Sequence, residues 1–488
     1  MVPTSASRSA SAALASVAIA AACPAAVAAS DIAVVEADAQ TATFVGEATY
    51  QVSLRQVARR FYASQDDRFD TLIVFPAFAT TAADGALYEA VSNDVVGLNI
   101  DLGGISPETF DLSQGDEYAS EQLEGMVQFG NLADLPASPD DLFLGRWSVL
   151  DVLAQEVAHR YGAFVWFSAD GAPSDLLLGA DHAHWSFFLD SGGSPLGGNG
   201  WAEDSDGAWR TTEPANRYSP LDLYIMGLLP PDQVGDIRVL ADPTVTTKTL
   251  DLSGRPYGPD SLPVAGVVAA GRWRELTVDD IVAVERARSP AHDAVSPVRR
   301  HGFIALQRAG DGGIDDATMA RLEAVRSGWV RKYAQITGGR GRVIATLDGR
   351  DELPRYPQDL KRHGWDHQRG AWVHEGLRFA AGPDDVAAIR GEGVGRVRFR
   401  PEGGSWSEGV VVEAPGAADL SDDSAWKGVI TGLRVDPVQG RDAPELKALS
   451  VGPADDVAVD LPGGGGGSCG CGQQDAPWLL SAWSRRRG

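Results

Sequence analysis

Residues 147–167 read WSVLDVLAQEVAHRYGAFVWF and decide how the rest of the chain is interpreted. On a helical wheel of 100° per residue, one narrow side collects small and polar residues, namely Ser148, Gln155, His159 and Gly162, with Asp151 beside them. The opposite side is apolar and consists of Leu150, Leu153, Val157 and Phe164. The stretch therefore predicts an amphipathic helix whose apolar back packs on a core and whose polar front faces a cleft.

Gln155, Glu156 and His159 follow the spacing of the H-E-x-x-H pattern, with glutamine in place of the first histidine. Side chains four residues apart on a helix can hold one ion. Glu156 is offset by about 100°, so it could act as a base on a metal-bound water without binding the metal itself. Gln155 offers only a neutral amide oxygen, which is a weaker zinc ligand than an imidazole. What replaces the missing imidazole is thus the central question.

The sequence QEVAHRYGAF resembles the active-site helix of zincin metallopeptidases. Residues 68–341 are similar to a group of secreted bacterial zincin-like proteins, in which a Q/H-E-x-G-H-R-W helix is followed by HWSFF and YSPLDLYxMGL segments. The matching pieces in this chain are residues 155–161, 184–188 and 218–228. Ala158 stands where related helices often carry glycine, and Val165 occupies the third-ligand position of the metzincin extension.

This resemblance implies an α+β zincin-like domain over residues 30–350, zinc as cofactor, and a protein or peptide substrate. It implies Glu156 as the general base and His159 as a metal ligand. A third ligand must come from further along the chain, and the candidates are His184 and Asp222, with His182 behind them; Gln155 would complete the site. The function implied is that of an exported metallohydrolase, most plausibly a peptidase.

Each candidate also has a structural interpretation. His159 can be a hydrogen-bonded core histidine, Glu156 can pair with Arg160, and His184 can stack near Trp185. Asp222 fits the third position of a helix that Ser219 caps, which explains it without a metal. Gln155 can hydrogen-bond His159 or a loop carbonyl and preserve the cleft without metal. The alternative function is therefore an inactive zincin-fold pseudoenzyme that acts in surface adhesion or glycan binding.

Composition limits the range of functions. The chain of 488 residues carries a formal net charge of −25, and this acidic surface repels nucleic acid and anionic lipid headgroups. We therefore expect no nucleic-acid partner. The three cysteines are Cys23, Cys469 and Cys471, so the body of the chain can form neither a disulfide framework nor a cysteine-bound zinc site.

Both ends of the chain predict export. Residues 1–29 have the order of a signal peptide: Arg8, an alanine-rich apolar run, and small residues around Ala28. Residues 462–488 contain five glycines, a Cys-Gly-Cys motif, a short apolar run and three arginines, which resembles the MYXO-CTERM type of C-terminal sorting signal. An unstructured tail is the alternative. The signals imply a cell-surface, outer-membrane or extracellular location, with membrane contact only through these terminal segments.

Local patterns predict further elements. Residues 31–65 suggest strands and residues 71–75 a buried strand. Capping patterns start helices near Ser219, Thr277 and Asp315. We expect the helix after Thr277 to run to Arg288.

A second, all-β domain is predicted over residues 358–461, a jelly roll or sandwich. Strand-like runs occupy residues 394–399, 409–413 and 429–435. The sequence WKGVI at residues 426–430, with residues 433–437, resembles the last strands of galactose-binding-like jelly rolls. The resemblance implies a glycan partner, which Trp365, Trp372 and Trp406 could stack against; the alternative is that these are core and edge tryptophans.

Overall fold

A computed structural model describes residues 31–82, 85–98, 109–115, 117–179, 182–204, 207–349, 365–368, 371–382, 385–420, 423–441 and 445–453. Within these residues the protein is mixed α+β, and strands predominate over helices. The predicted signal peptide, the sorting tail and the predicted domain boundary near residues 350–357 lie outside the described residues. None of the helices in the described part of the chain is long and apolar enough to span a membrane.

Strands and helices alternate irregularly along the chain up to residue 349. The strands are β1 Ile32–Ala37, β2 Ala42–Gly46, β3 Thr49–Val52, β4 Thr71–Pro76, β5 Ala86–Ala90, β6 Ser92–Asn93, β7 Phe110–Asp111, β8 Gly125–Phe129, β9 Leu142–Leu144, β10 Trp147–Ser148, β11 Phe167–Ala169, β12 Ala172–Ser174, β13 Trp185–Asp190, β14 Gly197–Asn199, β15 Trp201–Glu203, β16 Trp209–Thr211, β17 Ile237–Val245, β18 Val268–Leu276, β19 Val298–Arg308 and β20 Arg342–Ile344. The α-helices are α1 Leu54–Tyr62, α2 Val149–Ala158, α3 Pro220–Ile225, α4 Val278–Glu285 and α5 Asp316–Ile336, and short 3-10 helices occupy Leu132–Asp134, Pro231–Gln233 and His292–Ala294.

The first large sheet has the strand order β1-β19-β4-β8-β5, with β20 also paired to β19. Its strands run parallel except β5, which is antiparallel at one edge. All six residues of β4 are buried, as expected of a parallel strand covered on both faces, and this confirms the strand predicted at residues 71–75. One face shares a core with α2 and α5, whereas α1 covers the other. The helix α1 was not predicted.

The helix α2 carries the Gln155–His159 pattern. Ser148 caps it, because its hydroxyl accepts from Asp151 N and the Asp151 carboxylate accepts from Ser148 N in return. Leu150, Leu153 and Val157 are buried as predicted, while Asp151 and Gln155 are partly exposed. The helix ends at Ala158, so our expectation that the helical wheel extends through Gly162 and Phe164 is wrong. His159 is the C-cap, and the chain leaves toward Ala163, whose N–H donates to Ala183 O.

The second large sheet, β14-β13-β17-β18-β16-β15, brings the HWSFF segment next to α2. Trp185 and Phe187 of β13 lie in the same apolar core as Leu153 of α2. The helix α3 begins as predicted, with Ser219 at the N-cap and Pro220 in the first turn. The helix α4 also starts at the predicted cap but ends at Glu285 instead of Arg288, and α5 confirms the helix predicted after Asp315.

The last described part of the chain contains only strands among its regular elements: β21 Trp365–Gln368, β22 Ala371–Ala380, β23 Asp385–Glu392, β24 Val394–Pro401, β25 Val410–Glu413, β26 Gly416–Asp419, β27 Val429–Pro437 and β28 Glu445–Pro453. They form a five-stranded sheet, β21-β22-β27-β24-β25, and a three-stranded sheet, β26-β23-β28. Side chains from both sheets, such as Phe399 and Leu449, share one apolar core. The strands predicted in this region are present as β24, β25 and β27.

Candidate functional site

Three of the four predicted ligands meet at the front of α2. The side-chain Nε2 atoms of Gln155 and His184 lie 3.2 Å apart, within hydrogen-bonding distance. The rings of His159 and His184 are perpendicular (84°), with centroids 4.7 Å apart. Gln155 lies in the last turn of α2 and His159 at its C-cap, while His184 is the residue before β13. The sequence therefore identified a real side-chain cluster.

The contacts of this cluster bear on which ring nitrogen of each imidazole carries a proton. If the Gln155 amide donates to His184 Nε2, that nitrogen is an acceptor and the ring proton sits on Nδ1. His159 Nδ1 lies 3.2 Å from Gly162 O, and since a carbonyl only accepts, Nδ1 carries the proton there. With the proton on Nδ1, Nε2 is the unprotonated nitrogen of each ring and carries the lone pair. A backbone carbonyl that orients an imidazole in this way is typical of metal-binding histidines.

Gln155 and His184 also line a small cleft at the surface. Its other walls are mostly apolar or small: Trp147, Trp185, Pro195, Gly197, Pro259, Leu262 and Pro263, with Asp260 and Ser261 as polar members. The segment 259–263 was missed by sequence reasoning. Its two prolines, Pro259 and Pro263, indicate a loop, but no local sequence pattern relates that loop to α2. Of the residues predicted at the polar front of the helix, Gln155 lines this cleft.

Glu156 is the residue after Gln155 on α2, and it is buried, with 7% of its surface exposed. Arg160, which could pair with Glu156, donates to Glu124 Oε2 at 3.2 Å and to Asp94 Oδ1 at 3.1 Å, and it also binds the Asn93 side chain. The guanidinium therefore belongs to a buried network behind the helix.

That network joins α2 to the parallel sheet. Glu124 also accepts from Arg299 at 3.1 Å, and Asp70 Oδ2 accepts from Arg300 N at 2.7 Å. Burial, followed by the nearby Glu124 carboxylate, raises the pKa of Asp70 to about 6. Burial, followed by Arg299, lowers the pKa of His301 to about 3.

Asp222 does not join the cluster but forms the core of a separate, closed one. Its Oδ1 accepts from Trp185 Nε1 at 2.7 Å and its Oδ2 accepts from Ser219 N at 2.5 Å. The side chain is fully buried, and this burial raises its pKa. Both carboxylate oxygens are thus engaged in holding α3 against β13. The capping interpretation accounts for Asp222, and the ligand interpretation does not.

His182, the reserve candidate, lies at the surface. Its side chain is 61% exposed and its Nε2 lies 3.7 Å from Asp175 Oδ2. Among the tryptophans proposed for glycan stacking, Trp372 packs against the core of the last two sheets and Trp406 lies under Arg400, 5.2 Å from ring centroid to guanidinium carbon.

The donor set does not match a hydrolytic zinc site. Such sites use three protein ligands drawn from imidazole, thiolate and carboxylate groups. The cluster in front of α2 supplies two imidazoles and one amide, and the amide nitrogen is directed at His184. Within the described residues, no group of three or more His, Cys, Asp or Glu side chains is arranged to hold a metal ion.

No protein-family model and no curated protein matches the chain. Among solved structures, the chain is similar to one described as the structural and functional characterization of Pseudomonas aeruginosa AlgX, with 12% identity and a TM-score of 0.13. The match covers 48% of this chain and 66% of that chain, slightly under two thirds of its length. A TM-score this low gives no information on fold or function.

Proposed function

We propose that the protein is an exported binding protein on a zincin-type scaffold, whose cleft in front of α2 holds a ligand without cleaving it. The observation that carries this proposal is the 3.2 Å contact between Gln155 and His184. The amide stands where H-E-x-x-H has its first imidazole, and it engages the His184 nitrogen that a metal would need. The contact therefore closes the metal position with a hydrogen bond.

Contacts between the three family-like segments support the scaffold part of the proposal. Trp185 of the HWSFF segment donates to Asp222 of the YSPLDLY segment. Gly162, just after α2, packs so closely on Ile225 that an added Cβ would lie 2.3 Å from Ile225 Cδ1. The signal peptide and sorting tail remain the basis for export and surface location. The all-β region is proposed as an appended jelly-roll module with a glycan partner.

A second candidate, the zinc-dependent peptidase, is favoured by one specific observation. The Gly162 carbonyl orients His159 as metal-binding histidines are oriented, and Glu156 lies beside Gln155 on α2. In this candidate Glu156 is the general base and Gln155, His159 and His184 are the ligands.

Zinc content and casein cleavage by the purified protein separate the two candidates. We expect the wild-type protein to contain less than a tenth of an equivalent of zinc and to leave casein intact. We expect Gln155→His to bind about one equivalent, because it supplies the third imidazole.

Two controls make the result specific. Gln233→His adds a histidine at an exposed position of a 3-10 helix and should bind no stoichiometric zinc. Glu156→Gln removes the candidate base while leaving the ligands in place. One equivalent of zinc in the wild-type protein, with casein cleavage that Glu156→Gln abolishes, would establish the peptidase and reject the metal-free proposal.

A further inference from the structure

We infer that the outer face of the five-stranded sheet β21-β22-β27-β24-β25 binds an acidic polysaccharide through a row of arginines. This rests on the glycan partner in the proposed function, to which it gives a charge and a place on the all-β region. Val397 and Phe399 of β24 are buried in the core that the two sheets share. The intervening positions, Arg396, Arg398 and Arg400, are partly exposed on the opposite face. Because alternate residues of a strand lie about 6.6–6.8 Å apart, β24 presents three cationic side chains in a line.

Another arginine brings like charges into direct opposition. Arg434 of β27 pairs in register with Arg398, so both side chains leave the same face of the sheet. Like charges directly opposite each other destabilise a sheet. Asp436 offsets part of this repulsion, because its Oδ1 lies 2.6 Å from Arg434 Nε and its Oδ2 lies 3.0 Å from Arg398 Nε. Strands β24 and β27 nevertheless carry four arginines against this one carboxylate, which leaves an excess of positive charge.

The chain that follows β24 holds two of these guanidinium groups in place. Arg396 Nη1 donates to Gly409 O and Arg398 Nη1 donates to Ser407 O, each at 3.3 Å. Both acceptors are backbone carbonyls, which orient a guanidinium without neutralising its charge. Arg396 forms no ion pair with any residue that the structure describes. An oriented guanidinium binds a carboxylate through two parallel hydrogen bonds and loses little side-chain entropy in doing so.

Charge and shape select an acidic polysaccharide as the occupant. A polymer with a carboxylate on each sugar presents anions at regular intervals along a chain, as β24 presents its arginines. Trp406 is partly exposed and lies under Arg400, with 5.2 Å between the ring centroid and the guanidinium carbon, so it adds an apolar surface for sugar rings. An anionic membrane would face much of a chain whose net charge is −25 and would be repelled. A single polysaccharide strand contacts the arginine row, and charges more than about 8 Å away are largely screened at physiological salt.

Acidic residues border the row without interrupting it. Glu413 of β25 is exposed and pairs with Val394, at the end of the row. Glu375 of β22 shares a register position with Arg400 but lies two strands away from it, beyond Gly432. We therefore expect the polysaccharide strand to run along β24 and β27.

Binding of the full-length protein to immobilised polygalacturonate, measured by biolayer interferometry, tests the inference. Fully methyl-esterified polygalacturonate is the matched ligand, because it has the same backbone without the charges. We expect the acidic polymer to bind about tenfold or more tightly than the ester, and this binding to weaken as the salt concentration is raised.

Variants of the arginine face separate binding from structure. The triple variant Arg396→Gln/Arg398→Gln/Arg434→Gln should weaken binding to polygalacturonate about tenfold or more. Asp436→Asn removes the carboxylate that competes with the ligand, so we expect binding to tighten several-fold. A purely structural role for the arginines does not predict this gain. Thermal unfolding of each variant checks that it is folded.

A control variant removes the same number of charges elsewhere. Arg55, Arg59 and Arg60 lie on the exposed side of α1, where Arg55 pairs with Glu117 and Arg60 pairs with Asp38. The variant Arg55→Gln/Arg59→Gln/Arg60→Gln should leave the dissociation constant within about twofold of wild type, because these arginines have carboxylate partners and no opposed arginine.

The outcomes distinguish this inference from the proposed function. Equal binding of polygalacturonate and its ester would overturn the inference and leave the glycan partner standing, whereas binding of neither would overturn both. Equal losses in the two triple variants, or tighter binding of a single-stranded oligothymidine or of phosphatidylglycerol vesicles than of polygalacturonate, would also overturn the inference. Zinc with casein cleavage contradicts the proposed role of the cleft and does not change the result for the arginine face.

Discussion

Two polar clusters lie close together in this protein and behave in opposite ways. Asp222, Trp185 and Ser219 form a closed cluster in which the carboxylate is 0% exposed and both its oxygens accept hydrogen bonds. Gln155, His159 and His184 form an open cluster, since all three are partly exposed and two of them line the cleft. From the sequence, residues of both clusters are ligand candidates. The comparison shows how to separate the two kinds of residue. A buried polar side chain whose atoms all accept or donate hydrogen bonds has a structural role, whereas a polar side chain that lines a cleft belongs to a candidate site.

The largest expected effect comes from breaking the closed cluster. Asp222→Ala leaves the buried Trp185 indole N–H and the Ser219 N–H without their acceptor, so we expect the free energy of unfolding to fall by about 3–5 kcal/mol. Urea unfolding measures it. Asp280→Ala is the matched control, because Asp280 occupies the same capping-box position at the more exposed start of α4 and should cost only about 1 kcal/mol. Similar losses of stability in Asp222→Ala and Asp280→Ala would contradict the contrast between the closed cluster and a more exposed capping carboxylate.

The buried network behind α2 predicts a pH effect. Asp70 has its pKa raised to about 6, so its stabilising contribution is complete below about pH 4 and is lost as the pH rises through 6. Asp70→Asn keeps an acceptor for Arg300 N and removes the titration. The stability of wild type minus that of Asp70→Asn should therefore fall by up to about 3 kcal/mol between pH 4 and pH 7. Urea titrations at several pH values measure this difference. The titration of His301 is common to both proteins, so its contribution cancels in the difference. A difference in stability that does not change between pH 4 and pH 7 would contradict the prediction.

An intermediate effect is expected where the chain just after α2 packs on the end of α3. Gly162→Ala places a Cβ 2.3 Å from Ile225 Cδ1, and relieving this overlap should cost about 1–3 kcal/mol. Ile225→Val removes the overlapping atom, so Gly162→Ala should cost much less in that background. A double-mutant cycle by urea unfolding gives the coupling energy. Additive losses would show that the two residues do not meet as described.

The smallest stability effect should come from the open cluster. Gln155→Ala removes one partly exposed hydrogen bond to His184, and we expect a loss of about 1 kcal/mol or less. Ligand binding in the cleft should nevertheless fall sharply. The same urea series measures stability, so Gln155→Ala and Asp222→Ala compare directly. A loss as large as that of Asp222→Ala would mean that Gln155 is a structural residue like Asp222.

Local sequence patterns predicted local structure well. The periodicity of residues 149–158 identified the buried and the exposed side of α2, and the capping residues Ser219, Thr277 and Asp315 start helices where expected. The helix α1 was missed although Leu54, Val57, Ala58 and Phe61 carry its buried face at helical spacing. Its signal was present in the sequence, and the strand prediction for residues 31–65 overlooked it.

The features that could not be predicted depend on distant contacts. Just after the end of α2, Gly162 packs on Ile225, which lies 63 residues further along the chain. The role of Asp222 depends on Trp185, and the cleft wall at residues 259–263 comes from a loop about 100 residues after α2. No local pattern contains this information. The resemblance supplied His184, because spacing alone does not relate it to the helix.

The pairing of β19 determines when the first large sheet can be completed. Strand β19 lies between β1 and β4 in the first large sheet, although β1 precedes it by more than 260 residues. While the chain is being synthesised, β4 can pair with β8, but β1 must wait for residues 298–308 before it gains its neighbour in this sheet, and such non-local pairing slows folding.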